Sequence, residues 1–350
     1  MYQFLSKIKD VLKYQFHNDN LMLISGKPNQ GNLTILNYDL LLIDKLEQVT
    51  AYDFIVFDES IYITQPKTYN SYLIHFKNNK LNILEKLDFT FNIEGWNFKK
   101  KTFKNLHIAS AYIDKIDYYV LINLETGKLV KTMPIDLGFG FDDFLISDNL
   151  IISANSDSLG LFTLNNEKIW THNINAILIQ EKKGEIKELK IYNDNLIIGA
   201  NSGIISISIS TGVINWATST YARTIEIVDN MGYVCTSLSF FRINLDTGEM
   251  YDYKRENARL PNFDFNGVTY WPSGHKVIHH EGLLWYAVYS SGQSFIIAIN
   301  PHDGYYEWIL NVKDANMIDD LKFHNNRMYI RDVNNNLFVY EKKPDRSDMQ

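Results

Sequence analysis

Three histidines, His275, His279 and His280, fall within six residues, and imidazoles at close spacing are the ligands zinc prefers. In an extended strand, however, His279 and His280 point to opposite faces, so at most two of the three converge. No cysteine lies beside them and no His-Glu-x-x-His helix carries them. Cys235 is the sole cysteine, which excludes an intramolecular disulfide and a cysteine-based metal cluster. Serine, histidine and aspartate are plentiful, but no Gly-x-Ser-x-Gly elbow or phosphate-binding glycine loop frames them. Gly138-Phe139-Gly140 reads as a strand turn. The acidic pairs Asp142-Asp143 and Asp319-Asp320 fall where solvated turns are expected. The expectation is a chain with no catalytic residue, no metal and no cofactor.

Charge narrows the partners. The 34 basic and 41 acidic residues give a formal net charge of -7, whereas nucleic-acid binding needs clustered Lys and Arg to neutralise phosphate. The short basic runs Lys99-Lys100-Lys101 and Lys182-Lys183 read as solvated turns. An acidic balance suits a basic protein partner, because complementary charge speeds encounter. No run of apolar residues approaches membrane-spanning length. The first ten residues lack the apolar stretch of a signal peptide. A cytoplasmic monomer that touches neither membrane nor nucleic acid is expected, or a periplasmic one if a signal has been removed.

The elements that must position any site announce themselves as repeats. Short apolar segments follow Asn, Asp or Gly turns at residues 20–24, 60–63, 105–108, 149–152, 195–198, 232–234, 282–286 and 327–330. Each is followed by a variable loop and by a second apolar segment. The second segments of several units end in a Thr-Gly or Asp-Gly turn, at Thr126-Gly127, Thr211-Gly212, Thr247-Gly248 and Asp303-Gly304. Glycine supplies the positive φ that a tight hairpin demands. A period in the forties with period-2 alternation is that of a β-propeller with four-stranded antiparallel blades. Eight units predict eight blades, with seven as the alternative if a terminal unit is incomplete. The last unit stops short near Tyr340, and residues 2–8 are expected to supply the missing strand. A single all-β propeller over 1–341 with a flexible polar tail at 342–350 follows.

The signature strand-(Asp/Asn)-x-Thr-Gly-x-x-x-Trp, sharp around Trp170, Trp216 and Trp308, resembles the pyrroloquinoline-quinone-like repeat superfamily. That superfamily includes quinoprotein dehydrogenases and an outer-membrane assembly scaffold. Around Gly127 and Gly248 the tryptophan is replaced by Lys131 and Asp252. The resemblance implies that the tryptophans pack between neighbouring blades. It does not carry the quinoprotein active site over: one cysteine cannot form the family's vicinal disulfide, and no acidic triple matches its calcium site. The alternatives it leaves are an exported assembly scaffold and a divergent quinone-dependent dehydrogenase.

Propeller topology places the Thr-Gly turns between third and fourth strands on one side, and the loops between second and third strands on the other. The latter vary most. Tyr69, Tyr72, Tyr112 and Tyr289 sit in or beside them, with Asp114, Asp117, Asp157 and Arg331. Tyrosine offers contact area and a hydrogen bond at low entropic cost. The longest interval between units holds residues 254–259 and Trp271, a further contact candidate. The expected function is a non-enzymatic protein-binding scaffold, in its specific form a bacterial immunity protein that masks a toxin with a basic domain.

Overall fold

The computed structural model describes residues 2–343 apart from 28–29, 50–53, 66–69, 88–89, 93–101, 114–115, 135–141, 146, 148, 155–156, 166, 179–184, 237–239, 252–261 and 273. Both basic runs, Gly138 to Gly140, residues 254–259 and most of the tail thus lie outside the described residues. Among the described residues are eight antiparallel blades and one separate two-stranded hairpin; the blades pair their strands in sequence order except that the first strand closes the last blade, so the fold is an all-β propeller of eight blades. Contacts divide the chain into two compact units, Lys9–Thr171 and Met1–Ile8 with His172–Gln350.

The apolar segments read as the start of each repeat are in fact second strands. An innermost strand precedes each one: Val11–His17, Phe54–Phe57, Asp142–Leu145, Ile186–Tyr192, Thr224–Val228, Gly274–His280 and Ile318–His324 in blades 1, 2, 4, 5, 6, 7 and 8. In blade 3 the innermost position is split between Thr90–Asn92 and Thr102–Phe103. These strands escape a search for alternation for a physical reason. In blades 1, 5, 7 and 8 the register slips near the second residue, between Val11 and Lys13, Ile186 and Glu188, Gly274 and Lys276, and Ile318 and Asp320. A bulge puts two residues opposite one and breaks the period of two. Strands of blades 1, 5 and 8 share one burial pattern, with only the first and fourth residues buried.

The turn from first to second strand is a short hairpin whose first loop residue has positive φ: Asn18, Asp58, Asn193, Asp229 and Asn325 lie between 50° and 53°. Asn and Asp tolerate that region best after glycine, which is why these turns were legible.

In the Lys9–Thr171 unit, blades 1 and 2 share a core of Met22, Ile24, Leu33 and Ile35 with Phe54, Ile61 and Ile74. Tyr62 on the second strand of blade 2 donates its hydroxyl to the Leu124 carbonyl of blade 3. Lys131, standing where the repeat has tryptophan, reaches Asn165 of blade 4 at 2.5 Å.

In the second unit the repeat's tryptophan acts as the resemblance implies. Trp216 of blade 5 donates its indole N–H to the Leu245 carbonyl of blade 6 at 3.0 Å. Its ring lies where a β-carbon on Gly248 would come within 2.7 Å, and Gly248 also has φ +75°. Only glycine fits the turn and the tryptophan together. Tyr2–Ile8 pairs antiparallel with Leu337–Lys342 and completes blade 8. Tyr2 is buried against Trp285, Trp308 and Phe323, with ring centroids 5.6, 6.0 and 6.1 Å away. Among the described residues one short helix, Ile174–Leu178, departs from the all-β expectation; it follows the last strand of blade 4 in the chain and buries Ile174 and Leu178.

Candidate protein-binding surface

The long interval before blade 7 holds an extra hairpin, Phe263–Phe265 with Val268–Tyr270. Its tip, Asn266-Gly267, has positive φ at both residues, the signature of a two-residue hairpin turn. The hairpin is pinned by aromatic rings. Phe263 stacks on Tyr270 at 5.7 Å and meets Phe295 of blade 7 edge-on at 5.1 Å. Phe265 and Tyr270 close on Phe295 at 5.5 and 4.8 Å. Such pairs add about 0.5–1.5 kcal/mol each beyond the area they bury.

That anchoring delivers Trp271 to the loop side of blade 7. Its backbone N–H donates to Ser290 Oγ at 3.3 Å, while the side chain stays 58% exposed. Ser290 ends the strand Leu283–Ser290, and beside it Tyr289 is 36% exposed. Below Trp271 the chain is held from inside: the Tyr286 hydroxyl reaches the Pro272 carbonyl at 3.4 Å, and Cys235 Sγ lies 3.4 Å from that hydroxyl. Burial drives the Cys235 thiol up to about 11, which makes it a packing residue.

The same surface runs on into blade 8. Tyr289 pairs across the ladder with Ser294, whose hydroxyl donates to the Asn316 carbonyl at 2.6 Å. Met317 follows, and the Val333 N–H donates to its carbonyl at 2.9 Å. Met317 is 39% and Val333 41% exposed. Val333 rides a loop tied down by Asp332, a buried carboxylate that accepts from the backbone N–H groups of Asn316, Asn334 and Asn336 at 2.8–3.0 Å. Trp271, Tyr289, Met317 and Val333 are thus exposed apolar side chains on backbone fixed from beneath.

Of the residues expected from sequence, Trp271 and Tyr289 come together here. Arg331 lies on the same side of blade 8, but its guanidinium is held by both oxygens of Asp319 at 3.1 and 2.8 Å; it organises the strand ends instead of standing free. In the other unit, Tyr72 lies half-buried on the third strand of blade 2, and Asp157 accepts from Ser158 at 3.2 Å in blade 4. Tyr112 pairs in register with Asp117 across the second and third strands of blade 3. Tyr69 and Asp114 lie outside the described residues. Met317 and Val333 were missed, although an isolated valine amid Asp332, Asn334, Asn335 and Asn336 was a readable signal.

Beneath the surface the innermost strands carry a ladder of paired charge. Lys190 of blade 5 meets Glu226 of blade 6 at 3.4 Å, and Glu226 also accepts the His279 N–H of blade 7 at 3.0 Å. Lys276 of blade 7 pairs with Asp320 of blade 8, which Lys322 approaches at 3.4 Å. Burial pushes the Asp320 carboxyl up, but Lys322 and Lys276 outweigh it and hold the group well below the usual range. Burial raises Asp319, against the pull of Arg331. His280 stacks on Phe323 at 4.0 Å, and burial lowers its pKa. Among the described residues, no three His, Cys, Asp or Glu side chains are grouped to hold a metal ion.

The fold defines the class, an eight-bladed β-propeller, and solved structures share that shape. BamB from Moraxella catarrhalis matches with a TM-score of 0.61 at 10% identity, over 97% of this chain and 100% of that one. A chain in the crystal structure of a mitotic checkpoint complex matches with a TM-score of 0.51 at 11% identity, over 81% and 84%. No family model and no curated protein sequence matches the chain. At these identities the likeness is one of fold.

Proposed function

We propose that the protein is a non-catalytic scaffold that binds another protein through the loop side of blades 7 and 8. The observation that carries this reading is the run of Trp271, Tyr289, Met317 and Val333, exposed on backbone that is itself locked. Trp, Tyr and Met are enriched at the centres of protein interfaces, and a few such anchors carry most of the binding energy. Rigid presentation also lowers the entropic cost of binding. The checkpoint neighbour is part of a complex, which is consistent with this use of the fold.

In its specific form the proposal is neutralisation of a toxin by masking, as an immunity protein does. The test is capture from native cells with tagged wild-type protein and with the Trp271→Ala, Met317→Ser double variant. One stoichiometric partner, lost with the variant, supports a scaffold acting through this surface. The same partner on both baits, or none, overturns it. Expressing a captured partner in a heterologous host decides the immunity form: growth arrest relieved by co-expression of this chain supports it, and a harmless partner removes it.

A further inference from the structure

The surface lies in an acidic protein, yet its own electrostatics are closed. Around blades 7 and 8, Asp319 is bound by Arg331, and Asp320 by Lys276 and Lys322. Asp332 is enclosed by its own loop. Among the described residues near the surface this leaves Asp264, Asp314, Lys313, Lys7 and the exposed Arg223, whose backbone N–H donates to the Cys235 carbonyl at 3.0 Å. Asp264 is already engaged by Thr269. Lys7 lies 3.5 Å from the Asp314 carbonyl and 4.7 Å from the Phe338 ring. A basic partner would find no free carboxylate cluster among the described residues of this surface. Pulling Asp319 or Asp320 from its cation would strand that cation half-buried and uncompensated, which is strongly unfavourable. What stays open is apolar: Trp271, Met317 and Val333, with the Tyr289 ring and Val268, 51% exposed, at the hairpin edge.

Resting on the protein-binding reading above, we infer that this surface takes an uncharged polypeptide segment rich in aliphatic and aromatic side chains, and not a basic face. Desolvating charge-free anchors costs little, and their attraction is indifferent to ionic strength, whereas charge-steered association weakens steeply as salt screens it. Aliphatic Met317 and Val333 also suit a protein segment better than a sugar or a nucleic acid, which reward hydrogen-bonding and cationic groups.

A random-peptide phage library panned on the full chain at about 0.5 M salt supplies the probe, because screening there is stronger than at physiological ionic strength. Enriched peptides should carry Trp, Phe, Tyr, Leu or Met and lack Lys and Arg. Their synthetic forms should bind with affinities that change less than about threefold between 0.1 and 1 M salt. Binding should fall at least about tenfold on Trp271→Ala or Met317→Ser, with the unfolding midpoint unchanged. Basic peptides, selected at low salt and lost on the same variants, would overturn the uncharged partner while leaving the binding surface in place. Peptides indifferent to both variants, or no enrichment at all, would overturn the surface as well.

Discussion

Trp216 and Gly248 show how two residue types from different blades constrain each other. The indole needs the Leu245 carbonyl and the glycine needs to lack a β-carbon. Trp216→Phe should keep most of the packing and orphan one carbonyl, costing about 1 kcal/mol. Gly248→Ala, which adds strain at φ +75° to a clash with the ring, should cost roughly 1–3 kcal/mol. Urea titration reads both as lower midpoints at constant slope; a Trp216→Phe midpoint equal to wild type would deny the hydrogen bond its role. This pair was legible because Thr-Gly-x-x-x-Trp is a local pattern. Tyr62, which serves the equivalent carbonyl of blade 3 from a different strand, was not, since no fixed spacing marks it.

At the scale of the strand, the innermost elements were the ones sequence reading lost, through the bulge and through charges that alternation cannot predict. Their charge ladder gives them a pH signature. Asp320 has a folded pKa below its usual 3.8, so its stabilisation is present above that value and is lost as pH falls through the range beneath it. Asp319 is shifted upward, so its carboxylate weakens the fold near neutrality and that cost is relieved as pH falls. Chemical denaturation followed from pH 7 to pH 3 should therefore show a flatter acid limb for Asp320→Asn and a steeper one for Asp319→Asn. Equal slopes for both would remove the ladder from the account. The strand Tyr2–Ile8 makes a second prediction: Tyr2→Ala, which empties a cage of Trp285, Trp308 and Phe323, should cost about 3 kcal/mol. A midpoint shift much smaller than that in urea would mean that the backbone ladder alone retains the strand.

For the molecule as a whole, Cys235 is a built-in reporter. It is buried, with a thiol pushed up to about 11, so a thiol reagent at pH 8 should react only as fast as the surrounding blades open. Its rate should rise in step with urea-induced unfolding; fast labelling of the native protein would show that the interior of blades 6 and 7 is not closed. At this scale the repeat period and the turn residues made the propeller readable, because each blade repeats the same hydrophobic and glycine constraints. The binding surface was half readable: Trp271 and Tyr289 stood out as aromatic residues in loops, whereas Met317 and Val333 join them only through hydrogen bonds between residues distant in sequence. The pairing of Tyr2 with Lys342 reaches beyond stability into biosynthesis. Of the described strands, Tyr2–Ile8 is made first and pairs last, and at ~5–20 residues per second it waits tens of seconds for Leu337–Lys342 to be made. Through that interval a nascent chain carries Phe4 and Leu5, exposed even in the finished fold, on an unpaired strand that a chaperone or a neighbouring nascent chain can capture.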